Sequence, residues 1–322
     1  MFAGEKNLRA MEKVIDTFSP KYIDPLIDFG FKKIFKESGK KQLLIRPLNA
    51  IFGLDIVDLE IRDGEHLGQS RQDRNACFDL YCESSDGKRF IVEVQLAKQQ
   101  HFIERALFYT ALPIIRCAPK GRRARKAWDY GFPPVLFLGI LDFDFLPLLG
   151  DAADPARFIQ LCSLRHDGTG RQVSDRMRFA FLEIKRFNKR KEECVRFEDR
   201  FLYILKNLAI LGGVPDLWDD PYFEQLLEEA EFARMDRQQQ EQYRNAQKMR
   251  WDYQNTIDCA RQDGLAEGLA RGLEQGQQAI ARRMLAKGMP MEAIVELTEL
   301  TEDQIRRVIA ADQESAVESS SS

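Results

Sequence analysis

Histidine is scarce in this chain: His66, His101 and His166 are the only three in 322 residues. None stands in a recognisable nucleophile motif, which disfavours chemistry built on an imidazole base. The six cysteines, Cys77, Cys82, Cys117, Cys162, Cys194 and Cys259, form no CxxC pair and have no histidine at zinc spacing. That pattern excludes the usual zinc modules and predicts reduced, mostly buried thiols. No apolar run reaches the ~20 residues that a bilayer span needs, and the opening MFAGEKNLRAMEKVID lacks an apolar leader, so a cytoplasmic protein without a membrane partner is expected. Charge of one sign is not in excess either: 48 Lys and Arg stand against 51 Asp and Glu, for a net charge of -3. Contact with nucleic acid must therefore come from local basic clusters rather than from the overall field.

What is present is the composition of an ordinary folded protein, 44% hydrophobic and 31% charged, long enough for one large domain plus a smaller one. Residues 1–20 are polar and expected to be loosely held. In DPLIDFGFKKIFKE, Phe31, Ile34 and Phe35 recur at helical spacing between lysines, which predicts a short amphipathic helix. A second helix is expected through QLLIRPLNAIFG, with Pro47 near its start or kinking it. LDIVDLEIR alternates as a strand does. A helix is expected from QQHFIERALFYTALPIIRC, ending near Pro113, and then a basic run, Lys120, Arg122, Arg123, Arg125 and Lys126. PPVLFLGILDFDF reads as a strand buried on both faces, and RFAFLEIKRF as one more strand. Beyond about residue 192 the pattern is helical.

The segment ACFDLYCESSDGKRFIVEVQLAK carries the most information. It holds two alternating runs around Ser85-Asp86-Gly87, a three-residue loop closed by Gly87 in the left-handed region. That loop sets Phe78 opposite Val94, Leu80 opposite Val92 and Cys82 opposite Phe90, which makes one face wholly apolar. The same register sets Asp79 opposite Glu93 and leaves Gln95 on the second face. A loop one residue longer or shorter, without a bulge, pairs Asp79 with an apolar residue. The hydrophobic pattern and the carboxylate pairing thus select the same register independently.

Two converging carboxylates suit a hard divalent cation, Mg²⁺ or Mn²⁺, with the Val94 carbonyl as a third ligand, and such a cation serves phosphodiester hydrolysis. The plainer alternative is a pair of acids facing solvent on an antiparallel sheet. DPLIDFGFKKIF, PLNAIFG, FDLYC, RFIVEVQ and FIERALFYT, in that order, resemble the PD-(D/E)xK nuclease family of transposases and recombination-promoting nucleases over about residues 20–240. The resemblance implies an α/β fold with a restriction-endonuclease-like core, a mixed sheet flanked by helices, and a mainly helical C-terminal extension. It implies a metal-dependent DNA endonuclease in which Asp79 and Glu93 hold the metal. Gln95 takes the place of the signature lysine, Asp28 is the acid of the first helical motif, and Arg105 and Tyr109 lie on the following helix.

Several residues keep two readings. Asp28 serves equally as a helix N-cap. Arg105 either reaches a phosphate or pairs with a carboxylate inside the fold, while Tyr109 packs beneath the site. The run from Lys120 to Lys126 is either a DNA backbone contact or a solvated loop. Glutamine cannot carry the lysine charge, so the alternative to an endonuclease is a catalytically inactive protein that binds DNA, or an oligomeric partner, through the same fold.

The tail repeats glycine every four residues, at Gly264, Gly268, Gly272 and Gly276, and Glu267, Arg271 and Glu274 exclude a membrane span there. The repeat reads as a helix or hinge, possible in a homo-oligomer contact. Three short helices are expected after it, forming either a DNA-reading helix-turn-helix with TEDQIRRVI as recognition helix or a small packing module. The expected division is a flexible 1–20, a nuclease-like domain over 21–240, a helical extension over 241–313 and a disordered 314–322.

Overall fold

A computed structural model describes residues 20–62, 79–117, 130–145, 154, 156–213 and 218–310. The expectations for residues 1–19, for Phe78 and Cys77, for the run from Lys120 to Lys126 and for the tail beyond 310 lie outside the described residues. The chain divides into two compact units between Lys248 and Met249.

The first unit opens with α1 (Asp28–Lys32), which continues as a π-helical turn over Lys33–Glu37. Ile34 and Phe35 of that turn are buried, as the apolar spacing requires. Gly30 is obligatory, since a Cβ there would lie 2.1 Å from the Asp24 carbonyl oxygen. Helix α2 (Gln42–Phe52) carries Pro47 inside it and stops at Gly53, whose φ of 64° gives the left-handed cap that glycine tolerates.

Among the described residues six strands follow: β1 (Leu59–Arg62), β2 (Leu80–Ser84), β3 (Arg89–Gln95), β4 (Val135–Leu141), β5 (Ile159–Ser163) and β6 (Met177–Glu183). They form one sheet in the order β1-β2-β3-β4-β6-β5. The first three are antiparallel neighbours, β4 is parallel to both β3 and β6, and β5 runs antiparallel on the edge. Between β3 and β4 lies α3 (Phe102–Arg116), the crossover that a parallel pair demands. It runs one turn past Pro113, the expected end. A proline costs one intrahelical bond, and here its own carbonyl accepts from the Arg89 guanidinium at 2.6 Å.

Strand β4 shows how the layers form. Leu136, Leu138 and Ile140 join the core on one face of the sheet, with α1, α2, α4 (Phe197–Asn207) and α5 (Pro221–Glu229). Val135, Phe137 and Leu141 point to the other face, where Phe102 and Ala106 of α3 cover them. The result is a mixed sheet between two helical layers, the expected α/β class. The first face of the hairpin is apolar as expected. The second is not simply solvated, because Tyr81 and Ile91 are buried under α3.

Helix α6 (Arg237–Ala286) crosses from the first unit into the second. Its early residue Tyr243 is fully buried, and its hydroxyl accepts from the Asp24 amide at 2.9 Å. The glycine repeat is not a hinge, since it lies within this unbroken helix, and the first of the three expected short helices is the end of α6. Helix α7 (Met291–Thr298) and a last helical stretch over 302–310 complete a small core of Ala281, Ile294, Leu300 and Ile305. Thr301 caps the last stretch as expected. Its hydroxyl accepts from the Gln304 amide at 3.3 Å, and the Gln304 side chain accepts from the Thr301 amide at 2.8 Å. Among the described residues no helix is long and apolar enough to cross a membrane. The described cysteines are free thiols, with Cys82 and Cys194 buried but Cys259 exposed.

Candidate active site at the end of β3

The hairpin register is the expected one, with Leu80 against Val92 and Cys82 against Phe90. Gly87, at φ 86°, closes the loop by donating to the Ser84 carbonyl at 2.8 Å. One step beyond the ladder, the Asp79 carboxylate accepts from the Val94 amide at 2.6 Å. Asp79 is thereby fixed on the face that carries Glu93 and Gln95, each only 8% exposed. Neighbouring β4 offers Gly139 opposite Glu93, and the space that a side chain would occupy is filled by Phe181 and Phe137, 3.0 and 3.2 Å from where its Cβ would stand.

Both acids are held in a protonation-prone state. Burial raises Asp79 to about 6 against the pull of the Val94 amide, and the charge of Asp28 adds to the rise. Burial and then the charge of Asp79 raise Glu93 to about 8, with Arg105 opposing. Glu93 Oε1 lies 3.5 Å from the Arg105 guanidinium, whereas Oε2 is buried with no hydrogen-bond partner. A buried carboxylate oxygen without a donor is costly, and it fits a site that receives a cation. Among the described residues no group of three or more His, Cys, Asp or Glu side chains is arranged to hold one metal ion.

Asp28 is not the N-cap of α1. That place belongs to Ile27, and Asp28 is the first helical residue, paired with Lys32 at 2.9 Å and facing Asp79 closely enough to raise it. Lys32 also acts on Asp79, and lowers it. The sequence reading missed Lys32 as a site residue, although its place four residues after Asp28 was the available signal. Arg105 turns inward. Its guanidinium donates to Gln95 Oε1 and to Gln99 Oε1, and lies 5.6 Å and 5.8 Å from the ring centres of Phe102 and Tyr109. Tyr109 thus packs beside Arg105. The Gln95 amide nitrogen donates to the Ala97 carbonyl at 2.9 Å, so both ends of that side chain are engaged. Nothing in the sequence pointed to Gln99 or to the Ala97 carbonyl.

These residues lie on or next to α1, the β2–β3 hairpin, β4 and α3. A family model described as PD-(D/E)XK nuclease family transposase matches residues 25–260. A second, described as the C-terminal HTH domain of the Rpn/YhgA-like nuclease family, matches residues 274–308, which includes α7 and most of the last helical stretch. No curated protein and no solved structure matches the chain. The first model spans well over half of the sequence and takes in α1, the whole sheet and every site residue named above; the chain belongs to the PD-(D/E)XK nuclease family transposases.

Proposed function

We propose that this protein is a divalent-metal-dependent DNA endonuclease that hydrolyses phosphodiester bonds in recombination or transposition. The observation that carries the reading is the unpartnered Glu93 Oε2, buried beside a second carboxylate that repels it. Asp79, Glu93 and the Val94 carbonyl would hold Mg²⁺ or Mn²⁺, which supplies Lewis acidity at phosphorus and an acidified water. Glu93 would give up its proton to a cation bound there. Asp79 keeps its place through the Val94 amide. Asp28 and Lys32, at the two ends of α1, set the charge beside Asp79.

Gln95 has no charge, and the guanidinium of Arg105 stands where positive charge is needed, bonded to Gln95 and close to Glu93. In this reading Gln95 acts by holding Arg105, and Arg105 balances the site and meets the phosphate. The second unit contributes DNA binding through its helix-turn-helix, and the run from Lys120 to Lys126 contributes backbone contacts that weaken steeply with salt. Helix 302–310 begins with Glu302 and Asp303, and Glu302 is paired with Arg306. These acids repel phosphate, which places the DNA away from the first turn of that helix.

The test is incubation of supercoiled plasmid with purified protein in Mg²⁺, Mn²⁺ or chelator, beside Asp79→Ala and Glu93→Ala. Nicking that needs metal and vanishes in both variants is the expected outcome. Plasmid that stays intact under every metal while still bound indicates a silent DNA-binding relative, and overturns the endonuclease reading.

A further inference from the structure

Of the seven residues from Lys185 to Lys191, just past β6, five are basic. Three of these charges are matched within the fold: Arg186 pairs with the buried Glu183 at 2.6 Å, Lys189 with Asp199 at 2.9 Å and Arg190 with Glu193 at 3.3 Å. Lys185 and Lys191 are exposed, and among the described residues neither has a carboxylate partner. Lys206 of α4 reaches back to the same turn and donates to the carbonyls of Lys185 and Phe187. Those acceptors are neutral and leave its charge unbalanced. With Lys189, Arg190 and Lys191 it lines a cavity of about 400 Å³, in which Glu192 is the one acid among the lining residues.

The topology sets this cluster at the edge of the sheet that carries the two acids. Strands β3, β4 and β6 are parallel and end level, with Gln95 opposite Leu141 and Leu141 opposite Glu183. The ladder goes one step further, through the bond from the Ile184 amide to the Leu141 carbonyl at 2.9 Å. The chain that leaves β6 is therefore level with Glu93 and Gln95, two strand spacings or about 10 Å across the sheet from β3. Phosphates on one strand of a duplex recur every ~3.4 Å of axis, so a strand crossing this edge spans the gap in about three phosphates. We infer that the turn Lys185–Lys191, with Lys206, is a seat for the DNA backbone beside the Asp79–Glu93 pair. The seat rests on the proposal that this site takes DNA, but not on cleavage. Its uncompensated charges are Lys185, Lys191 and Lys206 against Glu192, and a polyanion that also meets the acids next door is the partner they fit.

Fluorescence anisotropy of a labelled duplex with the full-length protein, in chelator and over a salt series, tests it. Lys185→Gln/Lys191→Gln should weaken binding about tenfold and lower the slope of log affinity against log salt by about two, one for each lost phosphate contact. Lys185→Arg/Lys191→Arg should bind as wild type, because the seat needs charge at those positions. Arg165→Gln/Arg171→Gln removes the same charge from the β5–β6 loop, at the opposite edge of the sheet, and should change affinity less than about twofold. Unchanged thermal unfolding of all three separates loss of contact from loss of fold. Equal losses in the two Gln pairs, or none in the lysine pair, overturn the seat even where wild type cuts plasmid. A loss confined to the lysine pair upholds it even where no plasmid is cut, and then only the endonuclease reading falls. Wild type that binds no duplex at any salt overturns both.

Discussion

Glu93→Gln should make the metal-free protein more stable, by a margin that grows as pH rises from 4.5 to about 8. The folded-state value of Glu93 is about 8 against 4.5 when unperturbed, with burial the larger cause and the Asp79 charge the second. A carboxyl with a raised folded value binds its proton more tightly when folded. Its stabilising effect is full below pH 4.5 and is lost as pH rises through about 8. At about 1.4 kcal/mol per pKa unit, the loss by pH 8 is on the order of 4 kcal/mol if Glu93 carries it alone. The rise of Asp79 is not added, because the two acids share one repulsion. For a unit of this size that corresponds to a melting shift on the order of 10 °C. Thermal unfolding in chelator, from pH 5 to pH 8, should show wild type falling and Glu93→Gln staying level, so that the variant is the more stable at pH 8. Mg²⁺ should then raise wild type at pH 8 and leave the variant unmoved. A difference between the two proteins that is the same at both pH values, or a variant that is less stable at pH 8, refutes the account of Glu93 as a strained, cation-ready acid.

The remaining predictions concern the neighbours of that pair. Arg105→Gln should reduce plasmid cleavage about a hundredfold or more, as loss of an electrostatic group at a phosphoryl centre does, and adding Gln95→Lys to it should restore part of the rate by returning the charge from the strand; no recovery in the double variant counts against a relocated charge. Gly30→Ala should destabilise the protein by about 2 kcal/mol or more through collision with the Asp24 carbonyl, read as a lower urea midpoint, and an unchanged midpoint contradicts the close approach.

The hairpin was legible in the sequence because three local signals coincide there: alternation on both runs, a glycine able to take φ 86° at position 87, and two acids that fall on one face only in a single register. Strand β4 was legible because seven apolar residues have no other use. Strand β5 was not, since Ile159–Ser163 is a short edge element in which only Gln160 is buried. The Pro113 carbonyl in the last turn of α3 accepts from Arg89, a residue on another element. The inward turn of Arg105 depends likewise on tertiary placement of Gln95 and Gln99. Sequence spacing reports which face a side chain occupies, but not which partner claims it. For the same reason the missing donor at Glu93 Oε2 left no trace in the residue pattern.

The bond from the Val94 amide to Asp79 has a consequence for how the protein matures. Slippage of the hairpin by one residue turns Glu93 into the apolar layer and takes Asp79 away from Val94. No partly zipped sheet therefore holds both acids together. A newly made chain brings Asp79 and Glu93 together in the same event that closes β2 on β3. The meeting of the two acids thus serves as a mark of the correctly registered hairpin.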